Sequence, residues 1–459
     1  MTNDLSSSMV HDLDASLDGR VIRPDEPGYD EARQAFYGGH DLHPAIVVRA
    51  ASDNDIVRTI ALARESGLEL AIRSGGHSGA GHGTTEGGIQ LDLAEMRGLE
   101  IDVEGRTAWV GSGLTAAEYT TATGAHGLAT GFGDAGTVGI GGITVGGGVG
   151  FLVRRYGLTI DSLLAADVVT ADGQVVRTDA ETEPDLFWAI RGGGGNFGVV
   201  SRLQLRLHPV GTVYGGMLFL PATPDVIAGF IREAEAAPDE LSTIANVMVA
   251  PPIPFIPPEM QGKLIIIAMM VHTDGGDAGE RAMAPFRALA TPLADFLRPM
   301  AYPEMYMPEE EGYHPLGVSR TMFVDRVDDS LAGTMVEQLR ASTATMSVVQ
   351  LRVLGGAMAR IRNDATAFAH RGRRIMANVA TLYERPEDEP VHEAWVTGLH
   401  DVIRGDAPGA YVNFLTDEGG DRAREAYPGD TWDRLVGIKG RYDPDNLFHR
   451  NQNIPPAHQ

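Results

Sequence analysis

Apolar positions along the first half of the chain come in short runs, cut by glycine-rich turns. Residues 1–40 open with a polar tail that is expected to fray. Ala45-Ile46-Val47-Val48 is a run of strand length. Ser52 then offers an N-cap to a helix whose apolar face is Ile56, Val57, Ile60 and Ala61, and Gly67 ends it. Leu68, Leu70 and Ile72 alternate, so a strand leads directly into Arg73-Ser74-Gly75-Gly76-His77-Ser78. Further strands are predicted over Ile89–Leu93 and Thr107–Val110. Thr115-Ala116-Ala117-Glu118 is a capping box, opening a helix that stops near Gly127. Ala171-Asp172-Gly173 joins two strands, Leu163–Thr170 and Gln174–Arg177, as a hairpin. A short helix at Leu186–Arg191 and a strand with Leu203, Leu205 and Leu207 alternating complete this half.

From residue 212 glycine thins out and the elements lengthen. Strands are predicted at Val213–Leu220, Lys263–His272, Val349–Leu354 and Arg374–Leu382. Helices are predicted after Thr223, over Asp277–Leu289 and over Ser330–Ser342. The pattern is an α+β unit whose sheet is covered by helices on one side. Pro251–Pro258 holds five prolines in eight residues and reads as a rigid loop. Ala410–Phe414 reads as a short strand, Thr431–Tyr442 as a helix and Asp443–Phe448 as a turn.

Composition removes whole classes of function. The 459 residues include no cysteine, which excludes disulfides, thiolate metal sites and cysteine nucleophiles; no metal site is expected. A net charge of −25 repels polyanions, so no nucleic-acid partner is expected. No apolar run approaches the ~20 residues of a membrane span. The acidic N-terminus lacks a signal-peptide pattern, so a cytoplasmic location is expected.

The glycine clusters carry the candidate chemistry. Gly75 and Gly76 remove Cβ atoms where a backbone must bend or approach a ligand, and free N–H groups there can cradle a pyrophosphate. The spacing does not match a dinucleotide-binding G-x-G-x-x-G. His77 taken alone is equally a polar residue in a solvated turn. Residues 131–150 contain ten glycines interleaved with Val138, Ile140, Ile143 and Val145. A flexible linker would be serine-rich, so this stretch reads as ordered backbone pressed against a ligand. Arg191–Gly198 is a third such cluster.

Taken together, these motifs resemble the vanillyl-alcohol-oxidase-type flavin oxidoreductases, in particular their berberine-bridge-enzyme-like branch. The carrying residues are Arg73–Ser78, Gly88–Leu93, Thr137–Gly150, Arg155–Leu158, Leu186–Gly194, Asn196–Val200, Asp364–Arg371, Tyr442–Phe448 and Asn451–Ile454, in the expected order. The resemblance implies an α+β fold. After a lead-in at 1–39 come a PCMH-type FAD-binding domain of two α/β subdomains at 40–210, a substrate domain with an antiparallel sheet at 211–409, and a returning segment at 410–459. It implies FAD bonded covalently to His77. Further cofactor contacts fall to Arg73, Ser74, Gly75, Gly76, Ser78, Thr137, Val138, Gly139, Gly141, Gly142, Gly147, Val149, Val200, Asn413 and Asn451.

Many members add a second link from a cysteine; here Ala135 stands at that position, so a single covalent bond is expected. Valine at the position of Val138 accompanies oxidases, which implies molecular oxygen as acceptor and H2O2 as product. The implied reaction removes a hydride from a C–H beside an alcohol or amine of a small organic substrate. Tyr411 and Tyr383 are the candidate bases. A tyrosine pKa near ~10 needs a neighbouring cation to fall, and His370 and Arg371 are candidates for it. Phe414 stands where some members carry another tyrosine. Met269, Met270, Met305 and Met307 are candidates to line an apolar pocket or simply to pack. Open alternatives are a dehydrogenase with another acceptor, a flavin-holding protein without turnover, and a nucleotide-sugar reductase. Substrate identity and oligomeric state are not encoded in any motif.

Overall fold

The crossover helix Asp53–Ser66 shows how closely local chemistry sets the elements. Ser52 and Asp55 form a reciprocal capping box at its start, and Gly67 closes it with φ of 67°. Its buried stripe is Ile56, Thr59, Ile60 and Ala63, while Ala61 faces solvent, one position out of the expected face. The computed structural model describes residues 5–251, 256, 258–308 and 312–457.

That helix links two strands of a four-stranded sheet ordered Arg20–Ile22, Ile46–Arg49, Ile89–Asp92, Leu70–Arg73. The last three are parallel. Both faces are covered, which is why Ile89–Asp92 is buried at every position. From Leu5, where the described residues begin, the chain is not a frayed tail. Ser7–Asp14 is a helix that buries Val10 and Leu13, and Arg20–Ile22 is the sheet's edge strand. The fully buried Asp55 carboxylate ties them down by accepting the N–H groups of Asp18 and Gly19, each at 2.9 Å.

A second, five-stranded antiparallel sheet runs Leu99–Asp102, Thr107–Gly111, Val199–Arg206, Leu163–Val169, Val175–Asp179. The glycine-rich stretch between the sheets is ordered, with a short helix at Ile140–Gly146.

The third sheet is antiparallel and eight-stranded, and it includes Leu241–Val249 and Leu316–Val324 beyond the four strands read from sequence. Helices Pro224–Ala236, Gly276–Arg287, Asp329–Ala341 and Glu389–Arg404 pack on one face through Phe230, Phe286, Met335 and Leu399. Alternation then dictates the other face. In Ile375–Tyr383, residues Ile375, Ala377 and Val379 meet the helices, so Met376 and Asn378 point away from them.

The C-terminal residues return to the first half. Val412–Phe414 is a 3-10 turn, not the expected strand, and it lies against the glycine-rich helix. Helix Asp430–Tyr442 packs on Pro184–Ala189. Most of the proline run at 251–258 lies outside the described residues. No helix among the described residues is long and apolar enough to cross a membrane.

Candidate flavin site

A cavity of about 470 Å³ opens where the glycine turns, the third sheet and the C-terminal segment meet. The whole of 73–78 lines it, as do Val138, Gly139, Gly141, Gly142, Val149, Val200, Asn413 and Asn451. Tyr411 lines it too.

The glycines are required by contact. A Cβ on Gly75 would collide with Gly139 N, and one on Gly139 with Gly75 N, so the two turns interlock backbone to backbone. A Cβ on Gly146 would strike the Asn413 amide. That amide's Nδ2 donates to Ile143 O and to the Tyr411 hydroxyl, both at 3.0 Å. By contrast, a Cβ on Gly142 or Gly195 would meet nothing within 4 Å, so these two present bare backbone to the cavity.

His77 is fixed from two sides. Thr137 Oγ1 and His77 Nε2 are 2.9 Å apart, and the Phe36 ring stacks on the imidazole with centroids 4.2 Å apart. Burial, reinforced by the Arg73 charge, lowers its pKa to about 4, so the ring is neutral at neutral pH. Thr137 is thus engaged with His77 rather than lining the cavity. Arg73 donates to Ala32 O and makes no ion pair among the described residues; its pKa is lowered, chiefly by burial. A desolvated guanidinium without a carboxylate calls for an anionic ligand, and a pyrophosphate meets that need. Asn451 Oδ1 is buried and accepts no hydrogen bond, a second group awaiting a partner. The cradle therefore fits FAD.

Gly147, at φ 139°, backs the Tyr411 ring and does not line the cavity. The Tyr411 hydroxyl accepts hydrogen bonds from Gly148 N at 2.8 Å and from Asn413 Nδ2. Burial nonetheless raises its pKa. The expected neighbours are elsewhere: Arg371 holds Asp161 through two bonds of 2.6 and 2.7 Å, and His370 Nε2 donates to Glu425 O. The cation acting on Tyr411 is Arg352.

Tyr383 is not in the cavity. It is in phase with Ile375, Ala377 and Val379 on the helix-covered face, where it stacks on His392 of Glu389–Arg404. Its pKa is pushed up to about 12, first by burial and then by Glu389. The methionines do not line the cavity either: Met270 and Met305 are core residues, Met269 packs at the core's edge, and Met307 is 57% exposed.

Several lining residues went unrecognised in the sequence, namely Phe36, Asp134, Gln350, Arg352 and Asn378. The last three had a signal. Each is a polar residue in a largely apolar strand, on the face turned away from the helices, where a side chain withdrawn from water needs a partner.

Residues 44–179 match the family described as FAD binding domain, and residues 410–455 that described as berberine and berberine like. The chain is 29% identical to (R)-6-hydroxynicotine oxidase of Paenarthrobacter nicotinovorans, over 98% of this chain and 99% of that protein. It is 30% identical to the FAD-linked oxidoreductase YvdP of Bacillus subtilis (strain 168), over 96% of this chain and 99% of the relative. The crystal structure of 6-hydroxy-D-nicotine oxidase from Arthrobacter nicotinovorans superposes with a TM-score of 0.85 at 25% identity, covering 98% of this chain and 99% of that one. A xylooligosaccharide oxidase from Myceliophthora thermophila shares the fold, with a TM-score of 0.86 at 22% identity over 99% of this chain and all of that one. The chain belongs to the berberine-bridge-enzyme-like FAD-linked oxidoreductases, enzymes of the PCMH-type FAD-binding superfamily. FAD is its cofactor.

Proposed function

We propose that this enzyme is an oxidase carrying FAD on a single covalent bond to His77. The observation that carries the reading is the imidazole itself: neutral, stacked under Phe36, engaged at Nε2 by Thr137, and facing a cavity lined by bare glycine backbone. With Nε2 engaged, Nδ1 is the nitrogen available to the flavin. The chain has no cysteine, and Ala135, which lines the same cavity, leaves no second tether. Residues 40–210 and 410–459 act as the FAD-binding portion and 211–409 as the substrate domain.

Bound here, FAD would supply the acceptor for a hydride from a C–H beside a hydroxyl or amine of a small organic molecule, the proton leaving from that hydroxyl or amine, and O2 would take up both as H2O2. Arg73 and the N–H groups of 74–78 hold the pyrophosphate, with Asn413 and Asn451 as further cofactor contacts. Val138 lines the cavity, and a valine at that position supports oxygen as the acceptor. Tyr411 faces the substrate, and its raised pKa makes it a hydrogen-bond donor at rest.

Stoichiometric oxygen uptake with H2O2 release, in preference to reduction of an added dye, is the expected outcome of aerobic turnover. Dye reduction with no oxygen uptake identifies a dehydrogenase instead.

A further inference from the structure

The cavity wall formed by the third sheet bears on substrate class. Directly paired residues of neighbouring strands share a face. The register pairs Thr321 with Asn378, Asn378 with Gln350, and Gln350 with Asn246. One hydroxyl and three amides therefore form a row across four strands, on the face away from the helices. Gln350 Nε2 donates to Asn246 Oδ1 at 2.9 Å, and Asn246 Nδ2 to Ile267 O at 3.2 Å. The row ends in an open position: Asn378 Oδ1 is buried, lies on a residue lining the cavity, and accepts no hydrogen bond. Such an acceptor is costly to leave unmade.

The charges in the cavity point the same way. In a chain of net charge −25, the described lining residues include three arginines, Arg73, Arg352 and Arg450, and one carboxylate, Asp134. That carboxylate is committed, because Arg352 Nη2 donates to Asp134 Oδ1 at 2.8 Å. Arg352 is itself 3% exposed and bound further to Gln350 Oε1 and Val149 O. Arg450 is likewise paired, with Glu69 at 3.7 Å, so an ammonium group entering here would lose its water and find no free carboxylate. A neutral hydroxyl would donate to Asn378 Oδ1. Its oxygen would also find the Tyr411 hydroxyl, whose acceptor positions are taken by Gly148 and Asn413 and whose proton is left to donate.

We propose that the substrate is an uncharged, hydroxyl-bearing compound recognised through Asn378, and that cationic amines are excluded. The proposal rests on the flavin site described above but not on oxygen as acceptor.

The test uses purified, FAD-loaded enzyme and two isosteric probes, 2-phenylpropan-2-ol and 2-phenylpropan-2-amine, the second cationic at neutral pH. Neither has a C–H on the carbon bearing the heteroatom, so neither turns over, and binding is read from the rise in Tm and from perturbation of the flavin spectrum. The alcohol is expected to bind at least about tenfold tighter than the amine. Asn378→Asp is expected to reverse the preference, and Asn378→Ala to weaken the alcohol by about tenfold with FAD content unchanged. An amine bound as tightly as the alcohol, no binding of either, or an Asn378→Asp enzyme with an unaltered ratio overturns the proposal. Failure of the flavin reading shows separately, as purified protein without flavin.

Discussion

Tyr411 illustrates how one hydroxyl can serve structure and chemistry together. Its oxygen accepts from Gly148 N and Asn413 Nδ2, joining the glycine-rich turn to the C-terminal segment. Tyr411→Phe keeps the ring but leaves both donors without an acceptor in a buried site. A loss of roughly 1–3 kcal/mol in denaturant unfolding of the FAD-free protein is expected, together with a fall in kcat. That Arg73–Ser78 and Asn451 line one cavity was legible through the family resemblance of their motifs. Tyr383 was misplaced because strand phase is not visible until the helix-covered face is known. One residue of register separates the cavity face of Asn378 from the core face of Tyr383.

Among elements, the helix Asp430–Tyr442 carries one buried cation that ties it to the first half, beside the surface pairs Arg434–Asp185 and Arg441–Glu183. Lys439 Nζ donates to Asp443 Oδ2 at 2.6 Å, to Asn196 O at 2.8 Å and to Phe448 O at 2.9 Å, and neither Lys439 nor Asp443 is exposed to solvent. Asp443 in turn accepts the N–H groups of Leu447 and Phe448, which shapes the turn leading to Asn451. Lys439→Ala leaves a buried carboxylate unpaired, and a destabilisation of about 3–5 kcal/mol in chemical denaturation is expected. Removal of both charged groups should cost less than removal of the lysine alone. The helix and turn were legible from periodicity and from Asp-Pro turn chemistry. The Ala410–Phe414 strand was not, because the stretch packs as a 3-10 turn against the glycine-rich helix, with Val412 and Phe414 only half-buried, instead of pairing in a sheet. The strands Leu241–Val249 and Leu316–Val324 escaped notice because serine, threonine, asparagine and arginine interrupt their apolar alternation. Of those polar residues, Ser319 lines the cavity.

Across the whole molecule, buried neutral histidines couple stability to pH. Burial lowers His77, His82, His208 and His370 to about 4, from an ordinary value of 6.5. In the window between those values the unfolded chain binds protons that the folded chain refuses, so stability rises with pH there. The Tm of FAD-free protein is therefore expected to fall as pH drops from 6.5 towards 4, beginning above the range in which carboxylates titrate. A Tm flat across that window would contradict the burial of these rings. The α+β fold was legible mainly through the order of its motifs. The wall that faces the substrate was not, because it depends on which faces of distant strands the helices leave bare.

The central claim is that His77 is the sole covalent anchor of FAD. Acid precipitation followed by peptide mass mapping tests it most directly. The account predicts that flavin absorbance stays with the precipitated protein, that one peptide containing His77 carries the FAD mass, and that His77→Ala releases its flavin. Free FAD in the supernatant of the unaltered protein, or an adduct on any other peptide, would contradict it.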